Sequence, residues 1–225
     1  MGLSSPSPQR YQFPARGKTG RAGRAGDKMS AMTAAADTGL TTPVLLVAMP
    51  QVLDPFFHRS VVLLLQHQDE GSFGFIINRS TGIRLSEILQ GMDVAWHGGD
   101  EATAHFGGPV QPQQGTVLFA PGTFETEAAT PVLPGIALTQ HIGDLVRLAE
   151  NPPDHFRLFL GYAGWGEGQL LEEILRNDWL TAPAQPGLIF APDPDEVWSE
   201  ALRSVGIDPA TLPSWTPERG GETTH

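Results

Sequence analysis

The sequence predicts an α+β fold with a mixed, mostly antiparallel sheet in a single domain. Three short apolar runs near the start of the chain have the length and composition of strands: Val44–Met49, Val61–Leu65 and Phe73–Ile77. Compact polar connections separate them, which is typical of antiparallel neighbours. Later strands and helices are intermixed without regular alternation, and this favours an α+β fold over a doubly wound one.

The three apolar runs form the segment around which the chain is organised. The runs contain no charged residues, and Pro, Asp and Gly occur in the segments around them, so we expect strands that are buried on both faces. Between the first two runs lies the polar and aromatic loop Leu53–Ser60, with the sequence LDPFFHRS. We expect the flanking strands to hold this loop in place.

The rest of the chain mixes segments of helical and strand-like spacing. Helical spacing predicts helices at 85–92, 142–149, 167–179 and 194–205, with Asp193 available to cap the last one. Dense apolar runs predict further strands at 104–110, 115–120, 156–162, 180–184 and 187–190. Residues 121–135, rich in Pro, Gly, Thr and Glu, are expected to form an exposed loop.

The first 36 residues differ in composition from everything that follows. They combine Ser, Pro and Gly with six basic residues and a single acidic one, which gives a charge of +5. Such a segment buries too little apolar surface to offset its ordering entropy, so 1–36 is predicted to be a disordered basic tail. The alternatives are a transit peptide and a gene start placed too early, with Met29 or Met32 as the true first residue. We expect the domain at 37–213 and a frayed C-terminus at 214–225.

Charge and composition restrict the classes of partner. The total charge of −11 leaves −16 for the residues after the tail, and a body this acidic repels the phosphates of nucleic acid. Direct nucleic-acid binding by the body is therefore not expected. No apolar run approaches the roughly 20 residues of a membrane-spanning helix, so we expect no membrane partner. The absence of cysteine excludes disulfides and cysteine-ligated metals and agrees with a cytoplasmic location.

Sequence motifs for cofactors and metals are missing. The chain has no Gly-rich phosphate loop, no dinucleotide fingerprint after a strand and no His-Glu-x-x-His. Its seven histidines never stand three or four residues apart, so no helix presents a pair of metal ligands. We therefore expect no metal site and no cofactor.

Polar residues at the ends of the first three predicted strands form a first candidate site: Asp54, His58, Arg59, His67 and Asn78. If these strands are neighbours, an Asp–His pair can act as general base, with Arg59 holding an anion and Asn78 donating a hydrogen bond. Structural roles are the alternative. Asp54 before a proline suits a turn, and a buried Asn78 suits a bracket between backbone groups.

Arg59 carries a more specific prediction. It follows two phenylalanines and precedes the apolar run Val61–Leu65, so we expect its aliphatic stem to be drawn inward. A buried guanidinium needs a partner, and Asp54 is the nearest carboxylate in sequence. The pattern predicts that Arg59 braces the loop from inside and that its removal strongly destabilises the fold.

The segment Gly161–Gln169, with the sequence GYAGWGEGQ, forms a second candidate site. It joins a predicted strand to a predicted helix, where backbone N–H groups can hold an anion, and its four glycines permit close backbone approach. The candidate binding residues here are Tyr162, Trp165, Gln169 and Glu173. The alternative is a tight turn whose aromatic residues cover the core, and the acidic neighbours Glu167 and Glu172 favour that alternative.

Several segments together resemble the YqgE/AlgH family, in the right order across residues 40–213. They are VAMP at 47–50, LDPFFHRSVV at 53–62, His67, GFIINR at 74–79, GGPV at 107–110, GYAGW at 161–165 before GQL at 168–170, and NDWLTAP at 177–183. The chain departs from the family pattern at Ser80, where proline is common, and at Leu171, where many members carry glutamate.

The resemblance implies a bacterial cytoplasmic domain in which a bifurcated sheet rolls into an α+β pseudo-barrel with flanking helices. It implies little about activity beyond the label of transcriptional regulator that some members carry. The leading hypothesis is therefore a non-enzymatic binding or regulatory protein with an unknown protein or small-molecule ligand. The alternatives are a small-molecule hydrolase or transferase that uses Asp54, His58 and Arg59, and a structural interaction protein that acts through residues 162–169.

Overall fold

The three apolar runs form strands of the central sheet in the computed structural model, which describes residues 40–122, 126 and 128–213. The predicted tail at 1–36 and C-terminus at 214–225 lie outside the described residues. The described strands are β1 (Val44–Ala48), β2 (Val61–Gln68), β3 (Gly71–Ile76), β4 (Ser80–Arg84), β5 (Thr103–Phe106), β6 (Val110–Phe119), β7 (Thr130–Leu133), β8 (Ile136–Thr139), β9 (Phe156–Trp165) and β10 (Trp179–Pro183).

The helices of the described part are α1 (Leu85–Gln90), α2 (Ile142–Glu150), α3 (Gln169–Leu175), α4 (Pro186–Ile189) and α5 (Pro194–Ser204), with a 3₁₀ turn at Pro209–Thr211. None of these helices has the length and apolar character needed to cross a bilayer.

The strands form a bifurcated, mostly antiparallel sheet. Its main path runs β10-β1-β2-β3-β9-β6-β8-β7, and each pair along that path is antiparallel. A branch leaves the path at β9, which also pairs in parallel with β5, and β5 pairs with β4. The predicted α+β class and bifurcated sheet are confirmed.

Glycines allow the sheet to divide at β9. Gly108 has a φ of +150° and Gly161 a φ of +70°, conformations that glycine adopts most readily. A Cβ atom on Gly107 would lie 2.2 Å from the carbonyl oxygen of Gly161, and one on Gly108 would lie 2.2 Å from the carbonyl carbon of Tyr162. The backbone before β6 therefore approaches β9 too closely for side chains. The Gly-Gly-Pro segment marks the branch point.

Strand β1 is buried on both faces, as predicted. Leu45 and Val47 belong to an apolar cluster that includes residues of α5, whereas Leu46 and Ala48 belong to a second cluster that includes Leu170 of α3. Because both faces of the strand meet apolar neighbours, its sequence reads as a continuous apolar run rather than an alternating one.

Three local predictions are wrong. Residues 187–190 continue helix α4 instead of forming a strand, because Pro186 occupies the first turn of a helix, a position that suits proline. The expected loop at 121–135 contains strand β7, which pairs with β8 in a hairpin. The predicted helix at 167–179 ends at Leu175, where Asn177 has a left-handed backbone and Trp179 begins β10.

Candidate functional site

Local hydrogen bonds to backbone groups occupy two residues of the first candidate site that lie in the loop Leu53–Ser60. Asp54 Oδ1 accepts hydrogen bonds from the backbone N–H groups of Phe56 at 2.8 Å and Phe57 at 3.3 Å. His58 Nδ1 donates to the carbonyl oxygen of Val52 at 3.0 Å. Asp54 thus takes the turn role offered as its alternative, and the Asp54 carboxylate does not pair with His58 as a general base would require.

Asn78 and Arg79, which follow β3, tie this loop to the sheet. Asn78 Oδ1 accepts from the N–H of Val61 at 2.7 Å, and its Nδ2 donates to the carbonyl of Arg59 at 2.9 Å. Arg79 donates to the carbonyl oxygen of His58. Asn78 is therefore a bracket between backbone groups, and Arg79 supplies the brace that the sequence led us to expect from Arg59.

The prediction of an inward, paired Arg59 is wrong. Its side chain is exposed, its backbone has a φ of +53°, and its guanidinium carbon lies 5.1 Å from the ring centre of Trp198. The Asp54 carboxylate is engaged by backbone N–H groups of its own turn, so it does not serve as the partner. The left-handed backbone places the guanidinium over α5 instead.

Three residues of the first candidate group nevertheless line one surface depression of about 630 Å³. These are His58, Arg59 and Asn78, and Arg79 and Trp198 line it as well. We call this the Arg59–Arg79 depression.

The two other residues of that group, Asp54 and His67, are not among the residues that line the depression. His67 Nδ1 lies 2.7 Å from the hydroxyl of Ser72 on the neighbouring strand β3. The structure thus brings together three of the five residues of the first candidate site.

The second candidate group forms a clamp around Glu173 of α3. Glu173 Oε2 accepts from the indole N–H groups of Trp165 and Trp179, each at 2.8 Å, and Oε1 accepts from Gln169 Nε2 at 3.0 Å. Both indole rings are buried, and Phe57 packs against each of them. The clamp holds α3, the end of β9 and the start of β10 together.

Tyr162 is separated from this clamp. Its ring lies 5.0 Å from that of Phe73 and packs against the other apolar cluster, because successive residues of a strand face opposite sides. The structure therefore brings together Trp165, Gln169 and Glu173 of the second group and places Tyr162 elsewhere.

A second depression, of about 570 Å³, contains two buried residues that the sequence analysis did not select. Arg157 on β9 is 8 % exposed and His105 on β5 is 9 % exposed, yet both line this depression. We call it the Arg157 pocket. Its lining also includes Ser80, Leu85, Trp96, Thr103, Asp154, Phe156, Phe190 and Ala191.

The Arg157 guanidinium is held by neutral partners. One terminal nitrogen forms a hydrogen bond with His105 Nε2, and the other donates to the carbonyl oxygen of Ala191. Burial, assisted by the neighbouring Arg157 charge, lowers the pKa of His105 to about 3, so the imidazole is neutral and accepts this bond. Burial lowers the pKa of Arg157 to about 10, which leaves the guanidinium charged at neutral pH.

Arg157 is a buried cation that has no ion-pair partner in the part of the chain that the structure describes. Across residues 40–122, 126 and 128–213, no carboxylate forms an ion pair with it. In the same ranges, Arg157 Nε and His105 Nδ1 are buried atoms without a hydrogen-bond partner. A planar guanidinium of this kind recognises carboxylate or phosphate groups through paired N–H donors.

The remaining lining of the Arg157 pocket combines a polar and an apolar side. The hydroxyls of Ser80 and Thr103 lie 2.8 Å apart and form a hydrogen bond. The rings of Trp96 and Phe156 lie 5.4 Å apart. In the described part of the chain, no three His, Asp or Glu side chains are grouped so that they could hold a metal ion. The arrangement suits an organic anion with an apolar body.

The sequence contained one local signal for this pocket. Arg157 interrupts the apolar strand FRLFLGY, where an unpaired charge is costly and therefore unusual. His105 gave no such signal, because it lies 52 residues away and reaches Arg157 only through the parallel pairing of β5 with β9.

We expect the buried His105 to make the stability depend on pH. In the unfolded chain the imidazole of His105 takes up a proton near pH 6.5, whereas in the folded protein it does so only near pH 3. The free energy of unfolding therefore falls as the pH decreases from about 6.5 towards 3. The slope from this residue is about 1.4 kcal/mol per pH unit. His105→Gln should remove it, which urea denaturation of both proteins from about pH 6.5 down to pH 4.5 measures. Equal pH slopes for the two proteins would contradict the neutral, buried state of His105.

Comparison with known proteins places these features in a family context. The AlgH-like family model matches residues 45–210. A protein named UPF0301 protein from Myxococcus xanthus is 42 % identical over 171 residues, which cover 76 % of this chain and 93 % of that protein. A protein of the same name from Chromobacterium violaceum is 39 % identical over 172 residues, covering 75 % and 92 %.

Two solved structures are also similar. The solution structure of AlgH from Pseudomonas aeruginosa has a TM-score of 0.64 and 32 % identity, and the match covers 80 % of this chain and 94 % of that one. The crystal structure of a protein from Corynebacterium diphtheriae has a TM-score of 0.60 and 25 % identity, with coverage of 72 % and 85 %. Both similarities agree with the mixed α+β fold described above.

Proposed function

The chain belongs to the AlgH-like family, and we propose that it is a non-enzymatic binding protein whose ligand is a small organic anion held at Arg157. One observation carries this proposal: within the described residues, Arg157 lines the pocket, is only 8 % exposed and has no carboxylate partner. Proteins normally pair buried charges, because an unpaired one costs several kcal/mol. A carboxylate or phosphate of the ligand supplies the missing negative charge.

His105 positions the guanidinium and does not transfer protons. With a pKa near 3, its imidazole stays neutral at the pH where general acids and bases work best. It accepts a hydrogen bond from one side of Arg157 while the carbonyl of Ala191 accepts from the other. These two fixed acceptors orient the fork of Arg157, so little rotamer entropy is lost when an anion binds.

The size and lining of the pocket suggest the class of anion. Its volume of about 570 Å³ is within the range of pockets for small organic ligands. Trp96, Phe156 and Phe190 supply an apolar wall, and Ser80 and Thr103 supply hydroxyls. We therefore expect an aromatic or aliphatic carboxylate or phosphate to bind better than an inorganic anion of equal charge.

A regulatory role follows most simply from ligand binding rather than from contact with DNA. The charge of −16 after residue 36 opposes duplex DNA, whose affinity for proteins depends largely on phosphate contacts. We therefore expect any regulatory role to act through the binding of a metabolite in the cytoplasm and through a downstream protein partner.

Titration calorimetry with benzoate and benzamide tests the proposal. The two probes have similar shapes, but only benzoate is charged, so we expect benzoate to bind at least about tenfold more tightly. Arg157→Gln should abolish the preference for benzoate. Arg157→Lys should retain only part of it, because an ammonium does not reproduce the planar fork.

The control variant is Arg203→Gln, which removes an exposed arginine of α5 that does not line the Arg157 pocket. It makes the same change in net charge and should bind benzoate like the wild type. Thermal melting of each variant shows whether the fold persists. If wild-type protein binds benzamide as tightly as benzoate, or if folded Arg157→Gln binds both probes unchanged, Arg157 is not the anion site.

A further inference from the structure

We propose that the Arg59–Arg79 depression is a second anion subsite and that the ligand of the Arg157 pocket is elongated, with an anionic group at each end. This inference rests on the proposed function, since it extends the same ligand. The depressions share two lining residues, Ser80 at the start of β4 and Pro194 at the start of α5. Ser80 and Pro194 therefore border both depressions, and a ligand that reaches past them contacts Arg157 at one end and Arg59 and Arg79 at the other.

The Arg59 guanidinium is available to a ligand. It is exposed, and across the described ranges of the chain no carboxylate forms an ion pair with it. Its position over the indole of Trp198 restrains the side chain at the depression. Its backbone has a φ of +53°, a conformation that disfavours residues other than glycine and that fixes the direction in which the side chain leaves the loop.

The loop that carries Arg59 is fixed before any ligand binds. Asn78 holds the carbonyl of Arg59, and Arg79 holds the carbonyl of His58. Phe57 of the same loop packs against the indoles of both Trp165 and Trp179. A subsite whose loop is already ordered binds an anion without the entropic cost of ordering it.

The local charge favours an anion although the protein is acidic. Two arginines and one carboxylate, that of Asp195, line the depression, whereas the residues after the tail carry −16 in total. A local positive potential within a negative surface attracts anions and excludes cationic groups. Arg157 and Asp154 add one further charge of each sign in the neighbouring pocket.

A chain-length series of straight-chain α,ω-dicarboxylates tests the proposal against monocarboxylates with the same number of carbon atoms. When a dicarboxylate is long enough to span both subsites, its second contact becomes intramolecular, so its affinity should exceed that of the matched monocarboxylate by at least about tenfold. Shorter members should show no such gain. Titration calorimetry at constant ionic strength measures both series, because salt screens these contacts.

Arg59→Gln identifies the subsite. In this variant the affinity of the best dicarboxylate should fall about tenfold, to that of the monocarboxylate. The side chain is exposed, so the fold is expected to survive, and thermal melting verifies this. Arg203→Gln is the matched control, with the same charge change on an exposed surface outside both depressions.

The outcomes separate the two proposals. The second subsite does not exist if dicarboxylates and monocarboxylates bind with equal affinity at every chain length. The same conclusion follows if Arg59→Gln retains the full affinity advantage of the dicarboxylate. In both cases the proposed binding at Arg157 stands. If neither series binds the wild type, the proposed function itself fails. Both proposals hold if Arg157→Gln no longer binds monocarboxylates while Arg59→Gln binds them normally and loses only the extra affinity for long dicarboxylates.

Discussion

Gly108→Ala should lower the free energy of unfolding by about 4 kcal/mol, because two independent costs combine. The added Cβ would lie 2.2 Å from the carbonyl carbon of Tyr162 and 2.4 Å from the backbone nitrogen of Ala163. These are backbone atoms of β9, so they move only if the branch of the sheet opens. The φ of +150° at Gly108 is also a conformation that alanine rarely adopts.

Urea denaturation of Gly108→Ala beside Gly187→Ala measures this effect. Gly187 is exposed in helix α4, and a Cβ added there meets no atom within 4 Å. Alanine at this control position should leave stability unchanged or raise it slightly, because alanine is the better helix former. A Gly108→Ala protein as stable as Gly187→Ala would show that the branch of the sheet tolerates a side chain.

Glu173→Ala should cost about 3 kcal/mol of stability. Its carboxylate accepts the indole N–H groups of Trp165 and Trp179, which are 6 % and 5 % exposed, and the substitution leaves both donors buried without an acceptor. Each unsatisfied buried donor costs about 1–3 kcal/mol. The emission spectrum of the tryptophans should also change, because the indoles lose a negatively charged neighbour.

Two control variants separate the hydrogen bonds from other causes. Glu173→Gln retains an oxygen that can accept from both indoles, so it should cost less than about half as much as alanine. Glu172→Ala alters the neighbouring exposed residue of α3 and should change stability by less than about 0.5 kcal/mol. If Glu173→Ala is as stable as Glu172→Ala, the clamp does not hold α3 to the sheet.

The sequence predicted the elements whose signal is local. The apolar runs that became β1, β2 and β3 are buried on both faces, and such strands need no alternation to be recognised. Asp193 was identified as the cap of α5, and its carboxylate accepts from the N–H of Asp195. Strand β4 escaped prediction because most of its residues are exposed and its composition resembles a loop.

The candidate sites were predicted less well because their geometry depends on contacts distant in sequence. The Leu53–Ser60 loop was selected from its composition, but no local rule states that Asp54 binds its own turn while Arg79 braces His58 across 21 residues. Likewise, Trp179 was assigned to a helix, so its bond to Glu173 was not foreseen. The Arg157 pocket depends on the pairing of β5 with β9, which only the whole topology determines.

The most direct test of the central claim is to observe the Arg157 side chain while an anion binds. In a ¹H–¹⁵N NMR spectrum, the Nε–H signal of Arg157 is assigned by its loss in Arg157→Gln, and benzoate is then titrated into the wild-type protein. Because the guanidinium gains a charged hydrogen-bond acceptor, we expect this signal to shift and to saturate with the calorimetric affinity. Benzamide should leave the signal in place. An Arg157 signal that stays fixed while benzoate binds would contradict the assignment of the anion site to this pocket.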